Sequence, residues 1–164
     1  MNQPVLIVDG YNIIGAWDYL KELKRKDLGS ARDQLIADLA GFLPWCWKRI
    51  IVVFDGQSFE WEDIEGVEVV FTGKKETADT MVERLAAGLI SHAPVEVATS
   101  DIAENRAASA VGAMVISATA LQEKLHERSG SYRRLTGKKK SEGIMLNDIL
   151  NQSVLESLEK FRRE

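Results

Sequence analysis

The sequence predicts an α/β fold with a largely parallel central sheet and helices on both faces, in three layers (α/β/α). Two observations predict it: short apolar runs that are rich in β-branched residues, and helical periodicity in the segments between those runs. Strands that alternate with helices imply crossover connections, which build parallel sheets. The length of 164 residues predicts a single domain, residues 1–164.

Five apolar runs are predicted to form strands. Residues 5–8, 50–54, 95–98 and 113–116 lack polar–apolar alternation and are predicted to be buried, whereas residues 67–71 alternate more and are expected nearer an edge. Helical spacing of apolar residues follows within residues 28–42, 81–89 and 121–125. A basic loop is predicted at residues 129–143, and an amphipathic C-terminal helix at about 144–162.

Composition excludes several classes of protein. No stretch of about 18 apolar residues is present, so no membrane span is expected. The start of the chain has no basic lead, so no secretory signal is expected. Cys46 is the single cysteine and can form neither an internal disulfide nor a cysteine-based zinc cluster, and a reducing cytoplasm is the expected compartment.

Charge is unevenly distributed along the chain. The net charge of −4 argues against simple electrostatic coating of nucleic acid. Residues 55–68 nevertheless carry six acids and no base, and residues 128–140 carry six bases and no acid. The basic segment is either a local anion-binding surface or a solvated loop. Its six bases are Arg128, Arg133, Arg134, Lys138, Lys139 and Lys140.

Four acids fall where a parallel sheet binds ligands, beyond the carboxyl ends of its strands. Asp9, Asp55 and Asp101 follow predicted strands, and Asp79 begins a predicted helix that itself follows a strand. Carboxylates gathered at one edge repel one another unless a cation compensates them. Oxygen ligands without a nearby His or Cys suit Mg²⁺ or Mn²⁺, which activate water for phosphodiester hydrolysis.

Each of these residues has a purely structural alternative. Asp101 and Glu104 have the spacing of a capping box, and Asp79 can favour a helix dipole. Asp55 can belong to a common strand-end turn. Asn12 either caps the first helix or orients a water or phosphate.

Basic residues elsewhere are candidates for contacts with the substrate backbone. Arg32, on a predicted helix, either reaches a phosphate or forms a surface ion pair. Lys74 and Lys75 precede the helix of Asp79 and either touch the substrate or lie in a solvated loop. The basic loop is expected to clamp a sugar–phosphate backbone, mainly through Arg133, Arg134, Lys138, Lys139 and Lys140.

Four short motifs in order carry a family resemblance: Asp9-Gly10-Tyr11-Asn12, Phe54-Asp55-Gly56, Glu76-Thr77-Ala78-Asp79, and Thr99-Ser100-Asp101 with Glu104. Together they resemble the NYN domain, a relative of PIN and FLAP-type nucleases, and in particular its bacterial YacP-like branch. The resemblance implies a PIN-like fold and divalent-metal-dependent endoribonuclease activity on single-stranded RNA. It also implies messenger RNA as substrate and the ribosome as partner.

The resemblance also implies roles for single residues. It assigns metal binding to Asp9, Asp79 and Asp101, extends this acidic role to Asp55, and gives Asn12 a site-lining role. All five are candidate catalytic residues. Whether the chain is a monomer or a homodimer stays open.

The same residues argue against three other classes of protein. A phosphatase of the haloacid dehalogenase type needs a second Asp two residues after the first, where this chain has Tyr11. A receiver domain pairs acids directly after its first strand, and a dinucleotide-binding domain needs a glycine-rich turn there. This chain has neither feature after its first predicted strand. The serious alternative is a catalytically inactive PIN-like module that binds RNA or the ribosome.

Overall fold

The computed structural model describes residues 3–136, with side chains described for residues 3–127. Within this range the chain forms one six-stranded sheet in the order β3-β4-β2-β1-β5-β6. The strands are β1 (Val5–Asp9), β2 (Arg49–Phe54), β3 (Glu60–Ile64), β4 (Val67–Phe71), β5 (Val95–Ala98) and β6 (Met114–Ile116). The helices are α1 (Gly10–Ala16), α2 (Asp18–Lys26), α3 (Leu28–Ala40), α4 (Ala78–Leu89), α5 (Ile102–Ala110) and α6 (Ala118–Thr136).

The three-layer fold that the sequence predicts is confirmed. Strand β1 lies between β2 and β5, and β2–β4 and β5–β6 also pair in parallel. Side chains of β1 alternate between two apolar clusters: Leu6 packs towards α1, α2, α3 and α6, while Ile7 packs towards α4 and α5. Burial on both faces explains why β1 and β2 are continuous apolar runs in the sequence. The prediction that residues 113–116 form a buried strand is wrong for β6, because it lies at an edge of the sheet and its Met114 is exposed.

Strand β3 was not predicted from the sequence. It pairs antiparallel with β4 at one edge of the sheet, and four of its five residues are exposed. The hairpin turn between them uses positive φ angles at Glu65 and Gly66, a geometry that suits two-residue hairpins. Because β3 is acidic and lies at an edge, it lacks the apolar pattern by which buried strands are recognised.

The predicted loop at residues 129–143 is wrong over its described part, because α6 continues through Thr136. Serine and glycine cost a helix about 1 kcal/mol or less each and keep the backbone N–H that proline lacks, so they do not end it. Residues 137–143 and the predicted helix at about 144–162 lie outside the described residues. None of the described helices is long and apolar enough to cross a membrane.

The parallel strands all point the same way, and we call the side of the sheet at their carboxyl ends the carboxyl-end rim. It consists of Asp9–Gly10 after β1, Asp55–Gly56 after β2, Thr72–Gly73 after β4, and residues 99–101 after β5. Helices α1, α4 and α5 begin beside these residues. The sequence therefore predicted correctly that acids distant along the chain share one edge of the sheet.

Candidate metal centre

Three carboxyl groups meet at the carboxyl-end rim. Asp9 ends β1, Asp79 lies in the first turn of α4, and Glu104 lies in the first turn of α5. One carboxylate oxygen from each lies within 4.8 Å of those from the other two. Asp9 and Glu104 are buried, whereas Asp79 is exposed, so the group opens to solvent on one side. One strand and two helices thus contribute one acid each.

Burial makes this group of acids electrostatically unfavourable. It raises the pKa of Glu104 from 4.5 to about 9, and the adjacent Asp9 carboxyl adds to the rise. Burial also raises the pKa of Asp9, an effect that its hydrogen bond with Glu104 partly offsets and the negative charges of Asp79 and Asp55 reinforce. Without a cation, Asp9 and Glu104 are therefore expected to retain a proton between them at neutral pH.

The donor set suits a hard divalent cation. Glu104 Oε2 accepts a hydrogen bond of 2.9 Å from the Thr99 hydroxyl, whereas the buried Glu104 Oε1 receives none from the described residues. A buried carboxylate oxygen without a donor is costly unless a cation or proton occupies its lone pairs. Carboxylate oxygens with one open side are the ligands that Mg²⁺ and Mn²⁺ prefer. The residues present therefore fit such an ion.

Local backbone structure holds the three acids in place. Asp9 is the N-cap residue of α1, but its side chain makes no capping hydrogen bond, so the carboxylate stays available. Helix α1 can begin directly after Asp9 because residue 10 is glycine: a Cβ there would lie 2.2 Å from Phe54 Cε1. Helix α4 is capped by Thr77, whose hydroxyl oxygen accepts a hydrogen bond of 3.2 Å from the Thr80 N–H.

Asp101, predicted from the sequence as a metal ligand, is not one of the three grouped acids. It is the N-cap residue of α5, and its Oδ1 accepts a hydrogen bond of 3.0 Å from the Glu104 N–H. The Thr99 hydroxyl oxygen in turn accepts one of 3.1 Å from the Asp101 N–H. Asp101 thus has the capping geometry that the Asp-x-x-Glu spacing had offered as its structural alternative, and it orients the turn that carries Glu104.

Glu104 was not predicted as a metal ligand, although the sequence carries a signal for it. Glu104 and Ala108 are four residues apart, on the same face of α5, and both are buried. An acid on the buried face of a short helix at the carboxyl-end rim needs a partner, whereas an acid that only completes a capping box can stay exposed.

Asp55 and Asn12 join neighbouring loops of the rim. Asp55 Oδ1 accepts a hydrogen bond of 2.8 Å from the Ala78 N–H, beside Asp79. Asn12 Oδ1 accepts one of 2.8 Å from the Ser100 N–H, which ties α1 to the segment after β5. Both residues lie beside the candidate metal centre, and their observed contacts position the backbone around it.

The predicted substrate-binding residues occupy different environments. Arg32 is half-buried: its guanidinium donates a hydrogen bond of 3.1 Å to the Tyr11 hydroxyl and lies 5.8 Å from the centre of the Phe71 ring. Lys74 and Lys75 are exposed in the segment between β4 and α4. The side chains of Arg133 and Arg134, and all of Lys138, Lys139 and Lys140, lie outside the described part of the chain.

Comparison with known proteins places this geometry in a family. The family model described as "YacP-like NYN domain" matches residues 6–163. The protein YacP of Bacillus subtilis (strain 168), named as uncharacterized, is 38% identical over 164 residues, which cover 97% of this chain and 96% of YacP.

Solved structures agree with this match. The crystal structure of Rae1 (YacP) from Bacillus subtilis has a TM-score of 0.71 and 37% identity, and the match covers 98% of this chain and 95% of that one. The crystal structure of a mutant of the same Bacillus subtilis protein has the same TM-score and identity, with 98% and 96% covered. These matches confirm the resemblance seen in the sequence motifs, and they support a nuclease-like, RNA-related function.

Proposed function

The chain belongs to the YacP-like NYN domain family, and from this premise we propose that it is a divalent-metal-dependent endoribonuclease that cleaves single-stranded RNA. The observation that carries the proposal is the group of Asp9, Asp79 and Glu104 at the carboxyl-end rim. Family membership supports RNA as the substrate, and the carboxylate group supports phosphodiester hydrolysis as the reaction. Messenger RNA, the ribosome and a cytoplasmic location remain parts of the proposal.

In this proposal Asp9, Asp79 and Glu104 hold one or two Mg²⁺ or Mn²⁺ ions. The bound cation supplies an activated water and stabilises the negative charge of the scissile phosphate and its leaving oxygen. Asp79 is the exposed member, so the phosphate approaches from its side of the group. Asp101 holds the first turn of α5, and Asp55 holds the first turn of α4. These two residues keep Glu104 and Asp79 at a constant separation.

Among the residues whose side chains the structure describes, Arg32 is well placed to contact a backbone phosphate next to the site. Its contacts with Tyr11 and Phe71 hold the guanidinium near the carboxyl-end rim, and no ion pair occupies it among the described residues. A guanidinium that is already oriented loses less conformational entropy when it binds phosphate. Lys74, Lys75 and the basic residues Arg133, Arg134, Lys138, Lys139 and Lys140 remain proposed contacts with the rest of the strand.

The proposal is tested with Asp9→Asn and Asp79→Asn, which keep side-chain volume and remove the charge. We expect RNA cleavage in Mg²⁺ or Mn²⁺ to fall at least about 100-fold in each, because even residues that only orient metal ligands often cost 10- to 100-fold. Calorimetric Mn²⁺ binding should weaken in parallel. Glu83→Gln is the matched control, since Glu83 is also an exposed acid on α4, and it should cleave normally.

Two results separate this proposal from the inactive binding module. Cleavage by the wild-type protein that is unchanged in both Asn variants would refute the carboxylate group as the active site. RNA binding without cleavage in either metal would favour the binding module instead.

A further inference from the structure

We propose that Phe59 and Trp61 form a stacking platform for unpaired bases of the RNA strand that passes over the carboxyl-end rim. The inference rests on the proposed function, because RNA is its ligand. It goes further by assigning the path of the strand to one side of the candidate metal centre, across the end of β4 and along the edge strand β3.

The platform adjoins the rim. A Cβ placed on Gly73, directly after β4, would lie 3.7 Å from the Phe59 backbone nitrogen and 4.0 Å from the Phe59 Cβ. Gly73 is followed by the exposed Lys74 and Lys75, in the segment that leads to Asp79. A strand whose scissile phosphate lies at the candidate metal centre, next to Asp79, would therefore meet these two lysines and then Phe59.

Both rings are available and in contact with each other. Phe59 is 55% exposed and Trp61 is 43% exposed, and their ring centres lie 6.4 Å apart with an angle of 65° between the planes. Exposed aromatic side chains at a nucleic-acid site stack on bases without sequence preference. Because the two planes are not parallel, they suit bases that have left a continuous stack, as bases do in unpaired RNA.

Trp61 is held in position before any ligand binds. Its indole N–H donates a hydrogen bond of 3.2 Å to Glu68 Oε1, and Glu68 also accepts two hydrogen bonds from Arg49. The polar edge of the indole is thereby satisfied, and its face is left for an apolar contact. A side chain that is already oriented loses less conformational entropy on binding.

The acids of β3 do not prevent this use. Side chains alternate along a strand, so Glu60 and Glu62 lie on the opposite face from Trp61. Asp63 lies on the same face as Trp61 but farther from the rim. It accepts a hydrogen bond from the Gly66 N–H at the hairpin turn. Positive charge at Lys74 and Lys75 lies at the end nearest Phe59, where the phosphates pass. The platform is therefore two residues long, and along β3 it ends before Asp63.

The experiment measures binding of a fluorescent single-stranded 10-nucleotide RNA in EDTA, so that binding is separated from cleavage. The double variant Phe59→Leu/Trp61→Leu keeps apolar, β-compatible side chains but removes both π faces. We expect it to bind about tenfold more weakly or worse, since stacking on one aromatic ring is commonly worth that much. The single variant Trp61→Phe should bind within about threefold of the wild type, because it keeps a ring.

Two controls isolate stacking. Trp45→Leu removes another exposed aromatic side chain. Trp45 precedes β2 and so lies at the amino ends of the strands, on the side of the sheet opposite the carboxyl-end rim, and affinity should be unchanged. An oligomer of the same length that carries no bases should bind the wild type and the double variant equally. Thermal unfolding of each variant shows whether the fold is preserved.

Separate measurements test the stacking platform and the nuclease activity, so either proposal can be refuted without the other. Equal RNA affinity in the double variant and the wild type refutes the platform, as does an equal loss of affinity for the base-free oligomer. A wild-type protein that binds no RNA also refutes it. Cleavage of the same RNA in Mg²⁺ is measured alongside: its absence in the wild type refutes the nuclease, while an affinity loss in the double variant still supports the platform.

Discussion

Replacing Glu104 by glutamine should stabilise the metal-free protein at neutral pH while abolishing its activity. Glu104 is 3% exposed, and burial beside Asp9 raises its pKa from 4.5 to about 9. The folded chain therefore retains a proton that the unfolded chain releases above pH 4.5. This contribution to stability is fully present below pH 4.5 and is lost as the pH rises towards 9. Glutamine keeps the shape of the side chain and cannot ionise.

The size of the effect follows from the same numbers. From pH 4.5 to pH 7 is 2.5 pH units, and each unit changes the free energy of unfolding by about 1.4 kcal/mol, so the wild type loses about 3–4 kcal/mol. The Glu104→Gln variant avoids this loss. For a chain of this length the difference at pH 7 corresponds to roughly 6–16 °C in the unfolding temperature.

The assay is urea or thermal unfolding in EDTA at pH 5 and pH 7, repeated at pH 7 with Mg²⁺. In EDTA the difference in stability between variant and wild type should grow from pH 5 to pH 7. Added Mg²⁺ should stabilise the wild type by mass action and leave the variant nearly unchanged. Glu83→Gln removes an exposed acid from α4 and should behave like the wild type, both in its pH dependence and in its stabilisation by Mg²⁺. A variant with the same pH dependence as the wild type would refute the argument from buried charge.

Substitutions at two further positions test how the site is held. Asp101→Ala should cost about 1 kcal/mol of unfolding free energy, because α5 loses the side chain that caps the Glu104 N–H; Asp101→Asn should keep most of that stability. If Asp101→Asn instead abolished calorimetric Mn²⁺ binding, Asp101 would be a metal ligand as the sequence first predicted. Gly10→Ala should cost about 2 kcal/mol or more, because the new Cβ meets the fully buried Phe54 ring. Urea unfolding of this variant at wild-type stability would show that the ring can move aside.

Much of the site could be predicted because parallel sheets have a simple geometry. The apolar runs that became β1, β2, β4, β5 and β6 are recognisable without tertiary information, and those covered on both faces, such as β1 and β2, are continuously apolar. Their common direction then predicts that Asp9, Asp55 and the helix of Asp79 meet at one edge. The structure bears out this placement, and the comparisons confirm the family that the motifs resemble.

The sequence by itself determined the fold class and the edge of the sheet where the acids gather, because both follow from local patterns and from the direction of strands. Tertiary structure alone decided which acids approach each other. Asp101 and Glu104 lie three residues apart, and only the packing of α5 against the sheet turns Glu104 inward and leaves Asp101 as the cap. The tertiary structure also decided that Phe59 and Trp61 stay exposed and that Phe59 lies beside Gly73, because a charged edge strand is defined by its pairing with β4 and has no burial pattern of its own.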